Sequence, residues 1–289
     1  MPIYVNRTIR LGGTVEATPA EGDLWYDSGK FNFGTSLSFT PGAWSSGGNL
    51  GTARYLLAGA GTQSAGLCMG GVDSTWQASV VTEAYDGTSW SAGGDLGSTK
   101  TAGCGTQSAG LSMGGYNPST GTKSNVTEEY DGTSWSSGGN LANARWYLAG
   151  AGTQTAGLCM GGYEHPYIYY NATEEYDGTS WSAGGDISGT NRYSMAGAGT
   201  QSAGLCMGGS IGDDGNDTIT NITEEYNGTS WSSGGNVSTA RMSHAGAGTQ
   251  SSGLCMGGSD SSWYNTNTTE EYNPGPGSYE ELFTASSGV

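Results

Sequence analysis

The sequence predicts an all-β protein, a five-bladed β-propeller of four-stranded antiparallel blades. A short motif, Leu67-Cys68-Met69-Gly70-Gly71 in its first copy, occurs five times, with serine at the cysteine position of the second copy. A tryptophan recurs in the same frame, at Trp44, Trp90, Trp135, Trp181 and Trp231. A period of about 45 to 50 residues is typical of propeller blades. No segment shows the apolar period of an amphipathic helix.

Local signals define the strands of one repeat, which we place at 54–96. Strands are predicted at 56–62, 65–69 and 80–85, with a fourth containing Trp90. The Gly-Gly pair ends the second strand. Asp86-Gly87 predicts a hairpin turn, because glycine tolerates the positive φ that such turns need. Four short strands in each repeat form the blade of a propeller.

The two ends of the repeated region complement each other. The strand around Trp44 has no preceding strands of repeat type, while the last repeat, 241–272, has three strands and no following tryptophan. We therefore expect the Trp44 strand to pair beside the Tyr272 strand, completing the C-terminal blade and closing the ring. This gives an N-terminal segment at 1–30, a propeller at 31–273 and a C-terminal tail at 274–289.

Composition excludes several classes of partner. The 289 residues carry a net charge of −17 with only nine lysines and arginines. Such a chain repels phosphate backbones, so we expect no nucleic-acid partner. No apolar run approaches the length that spans a bilayer, and the first residues lack the apolar centre of a signal peptide. We therefore expect no membrane insertion.

The order of motifs in each repeat resembles the kelch repeat. Ala53-Arg54 precedes the first strand, Gly-Gly follows the second, Tyr85-Asp86 follows the third and Trp90 lies in the fourth. The resemblance covers about residues 44–273 and implies a propeller. The first two strands depart from the family, because they are rich in glycine and alanine where kelch repeats usually carry bulkier apolar residues. Kelch propellers have many functions, so the resemblance does not fix one.

A second resemblance concerns phage structural proteins. Nearly identical Gly- and Ser-rich repeats with Asp-Gly-Thr-Ser-Trp, and the segment at 21–27 (Glu-Gly-Asp-Leu-Trp-Tyr-Asp), are similar to elements of such proteins, the latter to those of tail fibres. The resemblance implies a non-enzymatic virion protein, in a fibre or another exposed appendage, that is extracellular after host lysis. We expect a homo-oligomer in the particle. Segment 1–30 carries more apolar side chains than a free tail should expose, so we expect it to contact other virion proteins or the propeller rim.

The loops between Gly-Gly and the third strand differ between repeats while the frame around them barely changes. Their aromatic residues and one histidine are the binding candidates: Trp76, Tyr116, Tyr163, His165, Tyr167, Tyr169, Tyr170, Trp263 and Tyr264. Aromatic and small polar residues on loops over a rigid scaffold are typical of an adaptable binding surface. We predict that these loops bind a host surface glycan or protein. The alternative is sequence drift in loops without a function.

One basic residue is predicted near the start of each first strand. These residues are Arg54, Lys100, Arg145, Arg192 and Arg241. We favour their pairing with the third-strand glutamates, Glu83, Glu128, Glu174, Glu224 and Glu270. The alternative is a ring of cations that binds an anion in the central channel.

The remaining candidates are weaker. Four cysteines share one repeat position, which favours buried, reduced thiols over metal-binding thiolates, since repeat 2 has Ser112 there. Thr62-Gln63 and its copies are expected to cap the first hairpin. Asp213, Asp214, Asn216 and Asp217 carry oxygen ligands that could hold Ca²⁺, although their spacing is not that of an EF-hand loop. We predict neither a cofactor nor a metal.

Catalytic motifs are lacking in the sequence. His165 and His244 are unrelated by repeat position, and no nucleophile elbow or phosphate loop occurs. We therefore predict no enzymatic activity. A polysaccharide-acting enzyme with a pair of carboxylates is the competing class. A general kelch protein–protein interaction module is a further alternative.

Overall fold

The computed structural model describes residues 24–27, 30–33, 46–99, 102–189, 191–212, 217–262 and 264–273. The chain divides into two compact units, 1–46 and 47–289. In the first, strands β1 (Leu24–Asp27) and β2 (Lys30–Phe33) pair as an antiparallel hairpin. The other residues of the expected N-terminal segment, the expected Trp44 strand and the tail at 274–289 lie outside the described residues.

The second unit consists of five repeats of antiparallel β-structure, and the described residues contain no helix. Repeat 1 contains β3 (Ala58–Thr62), β4 (Ala65–Met69), β5 (Thr82–Tyr85) and β6 (Trp90–Ala92). Repeat 2 contains β7 (Ala102–Thr106), β8 (Ala109–Asn117), β9 (Thr122–Tyr130) and β10 (Trp135–Ser137). In both, the four strands pair in chain order.

Repeats 3 and 4 add a smaller sheet to the same four-stranded pattern. Repeat 3 contains β11 (Ala149–Thr153), β12 (Ala156–Met160), the small hairpin β13 (Tyr163–Glu164) and β14 (Ile168–Tyr169), then β15 (Thr173–Tyr176) and β16 (Trp181–Ala183). Repeat 4 contains β17 (Arg192–Tyr193), β18 (Ala196–Thr200), β19 (Ala203–Met207), β20 (Ser210–Ile211), β21 (Thr218–Ile219), β22 (Thr223–Tyr226) and β23 (Trp231–Ser233). Here β17, β20 and β21 form the smaller sheet.

Repeat 5 has three strands in its main sheet. It contains β24 (Arg241–Met242), β25 (Ala245–Thr249), β26 (Ser252–Met256), β27 (Ser259–Asp260) and β28 (Thr269–Tyr272). The main sheet has the order β25-β26-β28, and β24 pairs with β27. No sheet is closed within the described part of the chain. The all-β class is confirmed, and the series of four-stranded antiparallel sheets is a propeller-like architecture.

The glycine- and alanine-rich first strands allow neighbouring repeats to approach closely. The first strands of successive repeats lie side by side, β3 by β7, β7 by β11, β11 by β18 and β18 by β25. A Cβ atom at Gly197 would lie 2.7 Å from the carbonyl oxygen of Gly150 in the preceding repeat. Because backbone atoms cannot swing away, only glycine fits there. This contact explains the departure from the bulkier kelch pattern.

The second strands supply the apolar core between repeats. Leu111 is fully buried, and its Cδ2 lies against Gly157 of the next repeat, only 2.5 Å from where a Cβ would stand. The same leucine-on-glycine contact joins Leu67 to Gly110, Leu158 to Gly204 and Leu205 to Gly253. The core therefore lies between adjacent sheets, as expected for packed antiparallel sheets with one repeated inner face.

Of the Gly-Thr-Gln motif, which was expected to cap the first hairpin, only the threonine does so. Its threonine caps the first hairpin, since Thr153 Oγ1 accepts a hydrogen bond from the Ala156 N–H at 3.1 Å. Its glutamine does not: Gln154 Nε2 donates to the carbonyl oxygens of Gly110 and Tyr130 in the preceding repeat, at 3.1 and 2.7 Å. Equivalent bonds are made by Gln107, Gln201 and Gln250. The glutamine is thus a link between repeats.

The recurrent tryptophans also link neighbours. Trp181 packs on Tyr176 of its own sheet, with ring centroids 4.9 Å apart, and its Nε1 donates to Thr127 Oγ1 of the preceding repeat at 2.9 Å. Trp135 and Trp231 make the equivalent bonds to Thr82 and Thr173. In repeat 4 the equivalent threonine is Thr223, which is fully buried and whose Oγ1 has no partner among the described residues.

Candidate binding face

The loops that follow Gly-Gly in repeats 1 to 4 contact one another in series. Ser119 Oγ donates to Gln77 Oε1 at 3.1 Å, joining repeats 1 and 2. Lys123 Nζ lies 3.7 Å from Glu164 Oε1, joining repeats 2 and 3. Tyr169 OH donates to Asp217 Oδ1 at 3.4 Å, joining repeats 3 and 4. We call the surface formed by these loops and by the corresponding loop of repeat 5 the loop face.

Short β-pairings hold the loops of repeats 1, 3, 4 and 5 against the segments that precede their first strands. Tyr55 pairs with Val72, and Trp146 pairs with Tyr163. In repeats 4 and 5 the same pairing is a small sheet, β17 with β20 and β24 with β27. The loops therefore stand on ordered backbone.

Six rings form an aromatic cluster in repeats 2 to 4: Tyr116, Trp146, Tyr147, Tyr163, Tyr169 and Tyr193. Trp146 stacks on Tyr116 and on Tyr147, with centroids 4.6 and 3.9 Å apart. Tyr163 lies 5.0 Å from Tyr169. Such offset or tilted ring pairs stabilise packing. Three of these rings, Trp146, Tyr147 and Tyr193, were not among the sequence candidates, although an aromatic residue directly follows the arginine in three repeats.

Several candidates serve the loop itself. Tyr170 OH donates to Glu164 Oε2 at 2.7 Å, and its ring lies beneath the guanidinium of Arg145, 5.6 Å from the ring centroid. Burial and the bond to Glu164 raise the pKa of Tyr170 to about 12. Tyr116, Tyr163, Tyr169 and Tyr170 are all half-buried. These four rings stiffen the loop face and offer little open surface.

Three candidates expose large aromatic rings. Trp76 is 60% exposed, Tyr167 is 62% exposed and Tyr264 is 72% exposed. His165 is exposed beside Tyr167, at 6.5 Å between ring centroids. Trp263 lies outside the described residues. The exposed rings are on repeats 1, 3 and 5.

The arginines have a structural role. Arg145 is fully buried; it donates to the carbonyl oxygens of Gly161 and Ala172, and its Nη2 lies 2.6 Å from Glu174 Oε1. Arg54, Arg192 and Arg241 pair likewise with Glu83, Glu224 and Glu270. The expected pairing with third-strand glutamates is confirmed for these four. The guanidinium groups of these four arginines are buried in ion pairs inside the repeats, so the structure offers the anion-binding alternative no free cation at these positions.

In repeat 2, Lys100 does not stand at the position that arginine occupies in the other repeats. Counted back from the glutamine of Gly-Thr-Gln, Ser98 stands as far before Gln107 as Arg145 stands before Gln154. Ser98 therefore occupies the arginine position. Lys100 lies outside the described residues.

A cavity of about 310 Å³ lies at the starts of the first strands of repeats 1, 3, 4 and 5. Its lining includes Tyr55, Tyr147, Leu148, Ser194 and His244. Burial lowers the pKa of His244 to about 4, so this imidazole is neutral at pH 7. Arg54 also borders the cavity, with its guanidinium bound to Glu83. The chemistry of this lining does not favour an anion.

All five cysteines are buried and reduced, as expected. Burial raises the pKa of Cys159 to about 11, and its Sγ accepts a bond from Arg145 at 3.3 Å. Among the described residues, no three or more His, Cys, Asp or Glu side chains are placed to hold a metal ion. Asp213, Asp214 and Asn216 of the acidic loop lie outside the described residues. None of the described residues belongs to a helix long and apolar enough to cross a membrane.

Comparisons with known proteins bear on the fold alone. No family model matches the chain, and no curated protein matches it. Among solved structures, the one titled "Structure of YjhT" is similar, with a TM-score of 0.65 and 14% identity. The match covers 77% of this chain and 82% of that chain. It supports the β-rich, propeller-like architecture.

Proposed function

We propose that this chain is a non-enzymatic structural protein of a phage particle, an exposed fibre or appendage component whose loop face binds a host surface receptor. One observation carries the proposal: the exposed rings of Trp76, Tyr167 and Tyr264 stand on loops of an otherwise repetitive frame. Rings exposed on ordered loops are typical of binding surfaces.

The frame leaves few other residues for a function. Its recurrent glutamines, tryptophans, arginines and leucines are engaged within or between repeats. The loops differ in length and sequence from repeat to repeat far more than the frame around them does. Recognition of a receptor therefore belongs to the loop face, while the repeats position it.

We propose in addition that the five repeats form a closed ring of five blades, in which the Trp44 strand pairs beside the Tyr272 strand. Thr223 Oγ1 is buried at the position where the threonines of repeats 1 to 3 accept a tryptophan N–H. In addition, Gly47 lies beside the Tyr85 hydroxyl as Gly93 lies beside that of Tyr130. The chain that follows Trp44 thus has the placement of the chain that follows a fourth strand. Trp44 is the tryptophan that would serve Thr223.

A double-mutant cycle tests this closure. Trp44→Phe and Thr223→Val should be coupled by about 1 kcal/mol in the free energy of unfolding, the usual net worth of a hydrogen bond. The measurement is urea unfolding of the two single variants and the double variant. The matched control is Trp231→Phe with Thr173→Val, a pair joined at 2.9 Å. Coupling in the control pair and none between Trp44 and Thr223 would refute the closure.

Competition for host cells tests receptor binding. We expect purified protein, added before the particles, to slow adsorption of the particles to host cells by occupying the receptor. The same concentration of serum albumin serves as the control. Failure of folded protein to compete at saturating concentration would contradict the proposal.

The same preparation separates binding from hydrolysis. Incubation with host envelope polysaccharide should release no reducing ends above the buffer blank. Release that follows protein concentration would favour the competing class, an enzyme acting on polysaccharide.

A further inference from the structure

Trp76 of repeat 1 and Tyr167 of repeat 3, whose rings are largely exposed, have an unusual backbone conformation. Trp76 has φ of 62° and Tyr167 has φ of 60°. Bulky side chains rarely adopt this left-handed conformation, because the Cβ atom crowds the following carbonyl oxygen. Each residue is the third of a three-residue loop. In repeat 1 the loop is closed by a hydrogen bond from the Asp73 N–H to the Gln77 carbonyl oxygen at 3.0 Å, and in repeat 3 by the β-pairing of Glu164 with Ile168.

In repeat 2 the left-handed position of the loop is occupied by glycine. Its loop also begins two residues after Gly-Gly, at Asn117, and its left-handed residue is Gly121, with φ of 70°. A Cβ atom at Gly121 would meet nothing within 4 Å, so the fold does not itself exclude a side chain there. The loops of repeats 1 and 3 therefore accept strain that a glycine would avoid.

Burial of the two side chains offsets little of this backbone strain. Trp76 and Tyr167 remain 60% and 62% exposed. Repeat 1 also fixes the loop tightly, since Asp73 Oδ1 accepts bonds from the backbone N–H groups of Thr75 and Gln77 at 2.8 and 2.9 Å. Strained residues held by their surroundings and aimed outward occur at ligand sites. Trp76 meets Tyr55 edge-on at 5.5 Å between ring centroids and Tyr167 stacks on His165 at 6.5 Å, but most of each ring stays open to a ligand outside the chain.

Charge defines the kind of ligand. Of the cations whose side chains are described, four arginines are buried in ion pairs and Lys123 pairs with Glu164. The loops also carry Asp73, Asp217 and Asp260. A surface with this balance repels phosphates, sulfates and uronic acids. The ligand is therefore uncharged or cationic.

The setting of the rings favours a sugar over a protein. Protein interfaces have a contiguous apolar core enriched in aromatic residues and arginine. Here Trp76 and Tyr167 belong to separate loops. Ser74, Thr75 and Gln77 flank Trp76, whereas His165 and the exposed Ile168 flank Tyr167. Flat rings with nearby hydroxyl and amide groups suit a ligand that has both apolar faces and many hydroxyls.

We infer that Trp76 and Tyr167 are stacking positions for two sugar rings of an uncharged glycan. The inference rests on the proposed function and names the class of its receptor. Each indole or phenol ring covers the apolar face of one sugar, and loop hydroxyl, amide and carboxylate groups bond to sugar hydroxyls. The left-handed backbone fixes each ring outward before binding, which lowers the ordering cost.

A glycan array with arms of neutral, acidic and amino-sugar glycans tests the inference. Wild-type protein should bind neutral glycans and ignore acidic ones. Trp76→Gly and Tyr167→Gly should each weaken binding roughly tenfold, the loss expected when a stacked ring is removed. Each should also raise the urea midpoint of unfolding, because glycine relieves the left-handed strain. Tyr167→Phe keeps the ring and should retain binding.

Gly121→Ala is the matched control. It introduces left-handed strain without removing a ring, so it should lower the urea midpoint and leave glycan binding unchanged. Binding by both glycine variants equal to that of the wild-type protein, or wild-type binding confined to acidic or amino-sugar glycans, would overturn the inference.

The inference and the proposed function can fail separately. If the protein bound host cells in a protease-sensitive way but bound no glycan on the array, the proposed receptor binding would hold and the glycan inference would be wrong. Absence of both host-cell and glycan binding would remove both.

Discussion

Removal of residues 1–46 should abolish the single cooperative unfolding transition of the protein. The last repeat has only three described main-sheet strands, and its first strand is far more exposed than the equivalent strand of repeat 3. We propose that the segment before Gly47 supplies the missing strand. Without it, repeat 5 frays, the ring stays open and the array loses cooperativity, as stacked repeats do when neighbours are lost. Urea unfolding followed by tryptophan fluorescence and far-UV circular dichroism measures the effect.

Removal of 274–289 is the control for that truncation. The tail contributes no strand to the proposed ring, so its loss should leave the transition unchanged. The truncation at 46 keeps Gly47 and Gly48, which contact repeat 1, so the effect reports on the segment before them. Coincident and unchanged transitions after deletion of 1–46 would contradict the closure.

Arg145→Ala should lower the free energy of unfolding by about 3–5 kcal/mol, the usual cost of removing one partner of a buried ion pair. Glu174 is left with a side chain only 8% exposed and without its guanidinium. The carbonyl oxygens of Gly161 and Ala172 also lose their donor. Chemical denaturation at pH 7 gives the value.

The paired substitution Arg145→Met with Glu174→Leu separates charge from packing. Replacing both charges by apolar side chains of similar volume should recover most of the loss, because no buried charge is left uncompensated. A loss below about 1 kcal/mol for Arg145→Ala alone would mean that Glu174 is well solvated, contrary to its position.

The sequence predicted the frame well because each local signal is repeated five times. The expected strands at 65–69 and 80–85 correspond to Ala65–Met69 and Thr82–Tyr85, and Gly87 has the positive φ that the Asp-Gly turn requires. Burial of the cysteines and pairing of the arginines were likewise predictable, since both rest on residue type within one repeat.

Features that depend on a neighbour in space were missed. Gln154 was expected to cap its own hairpin, whereas it bonds to the preceding repeat. Trp146, Tyr147 and Tyr193 precede first strands, so sequence separates them from the loops they pack against. The strain at Trp76 and Tyr167 is also invisible in the sequence, because nothing there gives the sign of φ.

Location of the protein in intact particles tests the central proposal most directly. Antibody raised against the purified protein should label gradient-purified phage particles at an exposed fibre or appendage, as seen by immunogold electron microscopy. Mass spectrometry of the same particles should detect the chain. Its absence from purified particles, together with its presence in the soluble fraction of infected cells, would contradict a virion role.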